Sequence, residues 1–269
     1  MADLFAPATQ AVPFVLPTED GFDASWNERW SGFDVTVPGG EFFYAEHFFS
    51  KAWSDRTFAY LQENARGDWR SIDWRTVPGD ALDQIGFTNI RWKQDSLKLY
   101  GKSIALPRLT AWYGDPGAAY TYSGIKSEPN PWNDGLLHLK GRIEELVGTA
   151  FNSVLLNWYR DGKDSLSWHA DDEKELGVDP IIASANFGAT RDFQLRHNGD
   201  HKQKITIPLK HGTLLVMRGA LQRNWKHAVP KRANVNGSRF NLTFRSIMDD
   251  RSEPPRHPIK GASARLSCS

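Results

Sequence analysis

Apolar positions in the first half of the chain recur at helical spacing in two places. One predicted helix carries Phe58 and Leu61 on its inner face, and Ser54 is expected to cap its start. The other begins at about Asp134, and Gly148 is expected to end it because glycine readily adopts the left-handed conformation common after a helix. The apolar positions of this second helix share one face: Leu136, Leu139, Ile143, Leu146 and Val147.

Beyond residue 150 the pattern changes to short apolar or alternating runs, which are typical of strands. Glycine, asparagine, aspartate and proline separate these runs, which span 153–159, 182–187, 192–196, 204–208, 213–217 and 239–245. Helices followed by many short strands predict a mostly β fold, an antiparallel sandwich or barrel with helices packed on one sheet.

Neither end of the chain shows a sustained period. Residues 1–35 are rich in Ala, Pro, Asp and Gly, and we expect an irregular extension there. Residues 249–269 are polar, with three prolines and little to bury, which predicts a disordered tail. The body, residues 36–248, shows no internal repeat and no linker, so we expect it to form one domain.

The composition is that of an ordinary globular protein, with 40% hydrophobic and 24% charged residues among 269. The 33 basic and 32 acidic residues nearly balance, which excludes a strongly basic coat but leaves room for a local basic patch. The single cysteine, Cys268, excludes a disulfide framework and a cysteine-based zinc site. With no signal-peptide pattern and no apolar run of about 18 residues, we expect an intracellular protein without a membrane partner.

The run RFNLTFR, residues 239–245, alternates strictly between polar and apolar side chains. In a strand its polar face would carry Arg239, Asn241, Thr243 and Arg245. Two interpretations are open: an edge strand with one wet face, or a polar face that lines a cavity inside a barrel. In a cavity, two arginines would suit a ligand with two carboxylates, because guanidinium groups bind carboxylates in a bidentate fork.

The run SVLLNWY, residues 153–159, behaves in a similar way. Asn157 and Tyr159 share one face, and the opposite face is apolar. These two side chains could contact the same ligand from a second strand, although a polar-faced surface strand explains the pattern equally well.

The segment SWHADDE places His169 and Asp171 two residues apart, so both side chains reach toward one point in an extended chain. Such a triplet arises by chance in many proteins, but His227 follows in NWKHAVP. Two histidines and one carboxylate form the facial triad of non-haem Fe(II) oxygenases, which leaves positions open for a chelating keto acid and dioxygen. The main competing histidine is His211, at a predicted turn before a strand.

In the order of its motifs the chain resembles the AlkB family of Fe(II)- and 2-oxoglutarate-dependent dioxygenases, which oxidatively dealkylate nucleic-acid bases. The resemblance covers roughly residues 38–248 and lies in the subgroup of AlkB homologues 2 and 3, nearer to homologue 3. The motifs that carry it are PRLTAWYGD at 107–115, YTYSG at 120–124, EPNPW at 128–132, NWY at 157–159, WHADDE at 168–173, PIIASANFGATRDFQLR at 180–196, HGTLLVM at 211–217, KHAVP at 226–230 and RFNLTFR at 239–245.

The resemblance implies a double-stranded β-helix, or jelly-roll, fold and an enzyme that uses Fe(II), 2-oxoglutarate and O2. It assigns His169, Asp171 and His227 to the metal. It places Arg239 on the distal carboxylate of 2-oxoglutarate and Arg245 near the keto-acid end. The remaining co-substrate residues would be Asn157, Tyr159, Asn241 and Thr243.

The implied activity is oxidative demethylation of 1-methyladenine- or 3-methylcytosine-type bases in DNA, with RNA as a further substrate. Formaldehyde, succinate and CO2 would be released in a direct-reversal repair of alkylation damage. A monomer without an obligate protein partner is expected, in the cytoplasm or, in a eukaryote, the nucleus. Two alternatives are a 2-oxoglutarate hydroxylase or demethylase of a protein or small molecule, and a non-catalytic jelly-roll binding module.

A methylated base of this type is positively charged, so its pocket should offer aromatic faces and a carboxylate. His169 and two tyrosines of the YTYS motif are candidate stacking surfaces. Asp172 occupies a position that contacts the base in the resembled family, and the alternative is an exposed acidic turn. The candidate residues here are Tyr120, Thr121, Tyr122, Ser123 and Asp172.

Residues 91–108 carry local positive charge, with five basic side chains against Asp95, and suit nucleic-acid phosphates. A hairpin tip in this segment resembles a wedge that intrudes beside a base, although an ordinary amphipathic hairpin is the alternative. The segment and the YTYS motif argue against a protein or small-molecule substrate, and the complete triad with two arginines argues against a binding module. The candidate substrate residues are Leu99, Tyr100, Gly101, Lys102 and Arg108.

Overall fold

The computed structural model describes residues 11–63, 88–99, 102–118, 120–122 and 125–248. Its helices are α1 (Lys51–Gln62), α2 (Asp134–Val147) and the short α3 (Leu221–Asn224). Its strands are β1 (Asp23–Asn27), β2 (Gly32–Val37), β3 (Gly40–Ala45), β4 (Ser96–Leu99), β5 (Lys102–Ala105), β6 (Leu109–Gly114), β7 (Tyr120–Tyr122), β8 (Ile125–Ser127), β9 (Ser153–Tyr159), β10 (Leu166–His169), β11 (Ile182–Gly188), β12 (Arg191–His197), β13 (Lys204–Leu209), β14 (Thr213–Arg218), β15 (Trp225–Val229) and β16 (Arg239–Arg245).

Two antiparallel sheets form the body of the molecule. The larger has the order β1-β2-β3-β14-β11-β16-β9-β6, and the smaller has the order β10-β15-β12-β13. Strands β4 and β5 form a separate hairpin, as do β7 and β8. Each of the six strands predicted from the sequence is present, with its ends shifted by at most one residue. The predicted antiparallel sandwich with packed helices is therefore confirmed.

The two faces of the larger sheet are buried against different partners. One face packs on α1 and α2 through a cluster that includes Phe240, Leu242 and Phe244 of β16. The other face meets the smaller sheet through a second apolar cluster from both sheets. Strand β16 lies between β11 and β9, and all seven of its residues are buried. The edge-strand interpretation of residues 239–245 is therefore wrong, and the polar face of this strand points between the sheets.

The predicted second helix is confirmed with both of its ends. The side chain of Asn133 accepts a hydrogen bond from the Leu136 backbone N–H at 3.0 Å, which caps the start of α2. Gly148 ends the helix in the left-handed conformation, with φ of 72°.

The first helix begins earlier than predicted. Ser50 caps α1, since its side chain accepts from the Trp53 backbone N–H, and Ser54 lies in the first turn. The Ser54 hydroxyl instead donates to the Phe49 carbonyl oxygen at 3.4 Å. Two serines four residues apart both precede the apolar stripe, and a sequence pattern does not separate them.

The N-terminal region is more ordered than predicted. Strands β1 and β2 fall mostly within the segment expected to be irregular, and β2 joins the larger sheet through β3. Three apolar side chains of β2, at Phe33, Val35 and Val37, are buried in the cluster between the sheets. The expectation for residues 1–35 is therefore wrong from Asp23 onward. The alternation in each strand is too short to predict it, and the strands are stabilised by pairing, β2 with β3 and β1 with β2. The predicted C-terminal tail lies outside the described residues.

In the part of the chain that the structure describes, no helix is long and apolar enough to cross a membrane.

Candidate metal and co-substrate site

A single cavity between the two sheets brings together most of the predicted site residues. Its polar lining comes from β9, β10, β15, β16 and the segments next to them. The predicted residues that line it are Arg108, Asn157, Tyr159, His169, Asp171, His227, Arg239, Asn241, Thr243 and Arg245. Alternation along two strands therefore identified the cavity face correctly.

Three potential metal ligands meet at one end of this cavity. His169 ends β10 and lies directly opposite His227 of β15 in the strand pairing, while Asp171 follows two residues after His169. Their ligating atoms all lie within 4.8 Å of one another. Asp171 and His227 are buried, and His169 is partly exposed. This is the donor set of a facial triad, with one side open to the cavity.

The electrostatics of this cluster favour a bound cation. Burial would raise the pKa of Asp171, but Arg245, His227 and His169 outweigh it and lower that pKa to about 2. Burial and the neighbouring His169 lower the pKa of His227 to about 3. Near neutral pH the cluster therefore holds a carboxylate and a neutral imidazole, which are the protonation states that ligate metal ions.

The two oxygens of Asp171 have different environments. Oδ2 accepts a hydrogen bond from Nη2 of Arg245 at 2.9 Å. Oδ1 is buried and has no hydrogen-bond partner among the described residues. A buried carboxylate oxygen without a partner is costly, and a metal ion beside the two histidines would satisfy it. The residues present thus fit an Fe(II) ion.

Neighbouring side chains hold the three donors in place. The His169 ring nitrogen Nδ1 lies 2.8 Å from the Ser167 carbonyl oxygen, so Nδ1–H donates and Nε2 is left free to ligate. The Phe193 ring stacks on His227 at 5.1 Å between centroids. Gln222, in α3, accepts the Asp171 backbone N–H with its Oε1 at 3.0 Å. Neither Phe193 nor Gln222 was predicted as a site residue, because no motif in the sequence links them to the metal ligands.

A hydrogen-bonded row of polar side chains runs along the cavity floor on the larger sheet. Asn157 donates to Asn241 Oδ1 at 3.3 Å, and Thr243 donates to the same oxygen at 3.1 Å. Asn241 in turn donates to Ser184 Oγ of β11 at 2.7 Å. Ser184 was not predicted, although it lies between two alanines and shares a face with Asn186, a short polar signal that could have identified it. The row fixes the orientation of each amide toward the cavity.

Arg239 lies at the far end of this row and is almost completely buried. Its Nη2 donates to Asn186 Oδ1, and its guanidinium lies 4.9 Å from the centre of the Tyr159 ring. Nη1 is buried without a hydrogen-bond partner among the described residues. Burial lowers the pKa of Arg239 to about 10, which still leaves it charged at neutral pH. A buried cation with an unused donor fits the carboxylate of a ligand.

Arg108 is placed differently from its predicted neighbours in the basic segment. It is buried, and its Nε donates to Asn157 Oδ1 at 2.7 Å inside the cavity. This contact joins Arg108 to the polar row. The Arg108 guanidinium therefore lies among the predicted co-substrate residues and not on the surface, where a phosphate contact was expected.

The remaining predicted residues belong to the segments 99–102 and 120–123 and to the stretch that follows β10. Leu99 and Lys102 pair across the β4–β5 hairpin, while Tyr100 and Gly101 lie outside the described residues. Tyr120, Thr121 and Tyr122 form β7, and Ser123 also lies outside the described residues. Asp172 is exposed and does not line the cavity.

His211, the competing histidine, is excluded from the site by its contacts. Its Nε2 lies 3.1 Å from Asp55 Oδ1 of α1, and its Nδ1 accepts the Gly188 backbone N–H at 2.8 Å. Both ring nitrogens are thus engaged in a contact between α1 and the larger sheet, which is a structural role.

Comparison with known proteins agrees with this geometry. The model of the 2OG-Fe(II) oxygenase superfamily matches residues 42–245. The mouse (Mus musculus) alpha-ketoglutarate-dependent dioxygenase alkB homolog 3 is 46% identical over 198 residues, which cover 70% of this chain and 66% of that protein. The human (Homo sapiens) alkB homolog 3 is 47% identical over 192 residues, covering 68% of this chain and 64% of that protein.

A second group of relatives is more distant but is matched over more of its length. The mouse DNA oxidative demethylase ALKBH2 is 36% identical over 211 residues, which cover 68% of this chain and 88% of that protein. The chain spans about two thirds of the length of the two homolog 3 relatives. The matched family model includes every residue of the His–Asp–His cluster and the polar row.

Proposed function

The chain belongs to the AlkB family within the 2OG-Fe(II) oxygenase superfamily, and from that premise we propose that it removes methyl groups from nucleobases by oxidation. The observation that carries this proposal is one buried cavity that joins a His–Asp–His cluster to a polar row ending in a buried arginine. One end suits a divalent cation and the other suits a carboxylate, which is the combination that an iron and 2-oxoglutarate enzyme requires.

His169, Asp171 and His227 would hold Fe(II), which supplies the oxidising chemistry when bound together with 2-oxoglutarate and O2. The chain contributes by holding these donors in the protonation states that bind a metal ion. The guanidinium of Arg245 keeps Asp171 charged, and burial keeps His227 neutral, so neither group must lose a proton near neutral pH.

Arg239 would bind the distal carboxylate of 2-oxoglutarate through Nε and Nη1, which have no hydrogen-bond partner among the described residues. Arg245, bonded to Asp171, would lie near the keto-acid end. The amides and hydroxyls between these arginines would fix the molecule along the row: Asn157, Tyr159, Asn241 and Thr243. Apolar side chains on the opposite wall, among them Leu166 and Val229, would exclude water from the reacting centre.

We propose alkylated DNA as the substrate, with RNA as a further class, because a methylated adenine or cytosine carries a charge that aromatic faces and a carboxylate recognise. His169, Tyr120 and Tyr122 are the proposed stacking surfaces, and Asp172 is the proposed carboxylate. Thr121 and Ser123 would support this segment. The methyl group would leave as formaldehyde, while 2-oxoglutarate would become succinate and CO2.

The basic segment 91–108 is the proposed contact for the phosphate backbone. Leu99, Tyr100, Gly101 and Lys102 would form its tip, and Arg108 would link the segment to the cavity, since it bonds Asn157. The protein would act as a monomer, wherever damaged nucleic acid is found, in the nucleus or cytoplasm.

The test is a reaction with Fe(II), 2-oxoglutarate and oligonucleotides that carry 1-methyladenine or 3-methylcytosine. Formaldehyde and succinate should form together with the methylated oligonucleotide, and the unmethylated sequence should yield no formaldehyde. If succinate forms at the same rate with either oligonucleotide and formaldehyde never appears, the nucleobase proposal is wrong and a protein or small-molecule substrate gains support.

A further inference from the structure

Arg191 is a buried cation that the proposed reaction has not yet used. It opens β12, is 1% exposed, and makes no ion pair among the described residues. Its guanidinium donates to three backbone carbonyl oxygens instead: those of Asp161 at 3.0 Å, Asp164 at 2.8 Å and Pro230 at 2.7 Å. Burial lowers the pKa of Arg191, and the nearby carboxylates of Asp164 and Asp161 offset only part of that effect.

The three carbonyls belong to the two loops that surround one end of the cavity. Asp161 and Asp164 lie in the loop that follows β9, which ends at Tyr159. Pro230 follows β15 and begins the loop that leads to Arg239 at the start of β16. The same two loops are also joined by a hydrogen bond from the Arg232 backbone N–H to the Gly162 carbonyl oxygen at 2.7 Å. Arg191 therefore fixes the chain on both sides of the proposed distal-carboxylate site.

Two guanidinium groups flank the same aromatic ring. The Arg239 guanidinium lies 4.9 Å from the centre of the Tyr159 ring, and the Arg191 guanidinium lies 5.6 Å from it. Both arginines and Tyr159 are buried, with 2% exposure or less. Two like charges this close in a buried region repel each other, and a bound anion would offset that repulsion.

We propose that Arg191 is a positioning residue for 2-oxoglutarate: it braces Tyr159 beside Arg239 and adds a second positive charge at the end of the cavity that receives the distal carboxylate. The inference rests on the proposed function, because it requires 2-oxoglutarate to bind in this cavity. It does not place Arg191 in contact with the ligand, since its bonds run to the loops and it does not line the cavity.

Arg191 is expected to affect only one end of the co-substrate, the distal carboxylate, and not the keto-acid end. Replacing Arg191 should weaken the binding of a keto acid that carries the distal carboxylate. It should leave the binding of a keto acid that lacks this carboxylate nearly unchanged. The probes are 2-oxoglutarate and 2-oxobutyrate, which share the keto-acid group and differ in the distal carboxylate. Binding is measured anaerobically by calorimetry on the full chain loaded with Fe(II), and thermal unfolding is followed in parallel.

In Arg191→Gln, we expect 2-oxoglutarate to bind about tenfold or more weakly, while 2-oxobutyrate changes by less than about threefold. If this variant does not fold, Arg191→Lys retains the charge and part of the bonding to the loops, and its binding of 2-oxoglutarate should fall by about threefold to tenfold. The matched control is Arg142→Gln, which removes an exposed arginine of α2 that pairs with Glu145. This control should leave both affinities unchanged.

Equal weakening of both keto acids, or unchanged binding of 2-oxoglutarate in a folded variant, would overturn the inference alone. Failure of the unmodified protein to bind 2-oxoglutarate would overturn the proposed function and this inference with it.

Discussion

At the scale of single residues, Asp171 makes three different contacts on which the proposed site depends. Oδ2 accepts a hydrogen bond from Arg245, and the backbone N–H bonds Gln222. Oδ1 has no hydrogen-bond partner among the described residues and lies 3.9 Å from His169 Nε2. Its low pKa, about 2, results from the neighbouring cations outweighing the effect of burial. A single side chain thus links the metal cluster to the arginine at the keto-acid end.

We predict that Asp171→Ala abolishes turnover and weakens Fe(II) binding strongly, because one of three protein ligands is lost. Metal titration under anaerobic conditions measures the affinity directly and does not depend on the assay for activity. Glu145→Ala removes an exposed carboxylate that pairs with Arg142 and should change neither quantity. Substantial iron-dependent activity in Asp171→Ala would contradict the assignment.

Arg239 is the residue on which the co-substrate proposal depends most. Arg239→Ala should weaken binding of 2-oxoglutarate by about 2–5 kcal/mol, because a buried carboxylate would lose its charged partner. Calorimetry on the Fe(II)-loaded protein provides the affinity. Arg218→Ala is the control, since that arginine lies 4.0 Å from Asp34, away from the cavity. An unchanged affinity in Arg239→Ala would mean that the polar face of β16 does not hold this acid.

At the scale of secondary-structure elements, the short helix α3 contacts the proposed metal ligand Asp171 through Gln222. Gln222 accepts the Asp171 backbone N–H, and its Nε2 donates to Met217 Sδ at 3.3 Å. Gln222→Leu keeps a similar volume but removes both bonds. We predict a loss of about tenfold or more in Fe(II) affinity, as is usual when a group that supports a ligand is removed.

The control for Gln222 is the next residue in α3. Arg223→Leu removes an exposed ion pair with Asp179 and should leave Fe(II) affinity unchanged. If Gln222→Leu folds, melts at the temperature of the unmodified protein and binds Fe(II) normally, then α3 does not position Asp171.

The β4–β5 hairpin is the element proposed to contact nucleic acid. Lys98→Ala combined with Lys102→Ala should flatten the salt dependence of nucleic-acid binding. The slope of log K against the logarithm of the salt concentration should fall in magnitude by about 0.7–0.9 for each phosphate contact that is lost. Tyr100→Ala should lose more activity on a duplex than on a single strand, because single-stranded bases are already largely unstacked. Binding at several salt concentrations and activity on both substrates provide the two readouts.

The control for the hairpin is Lys51→Ala combined with Arg142→Ala, which removes two exposed basic side chains from α1 and α2. This pair should leave the salt dependence unchanged. Equal loss on both substrates in Tyr100→Ala would show that the side chain does not act as a wedge, and no loss on either would move the substrate path away from this hairpin.

At the scale of the whole molecule, local pattern predicted the strands and the faces of the site but not the pairing that assembles it. Strict alternation in 239–245 revealed which side chains of β16 share the cavity. The sequence grouped His227 with His169 and Asp171 by chemical type, and the resemblance assigned all three to the metal. The position of His227 directly opposite His169 is a matter of register between strands far apart in sequence, which neither argument predicted.

Other features carry no local signal. Strand β2 depends on its pairing with β3, and Gln222 and Arg191 acquire their roles through contacts with distant segments. The start of α1 at Ser50 was missed because two serines offer equivalent caps in the sequence. Side chains that work through tertiary contacts therefore need the folded structure to be recognised.

The central claim is that the cavity between the two sheets is the active site of an oxidative nucleobase demethylase. The most direct test is mass spectrometry of an oligonucleotide with one 3-methylcytosine, incubated with the protein, Fe(II), 2-oxoglutarate and O2. With the unmodified protein the oligonucleotide should lose the mass of one methylene group, and with Asp171→Ala under the same conditions it should lose none. An unchanged mass with the unmodified protein, which nevertheless converts 2-oxoglutarate to succinate, would contradict the central claim.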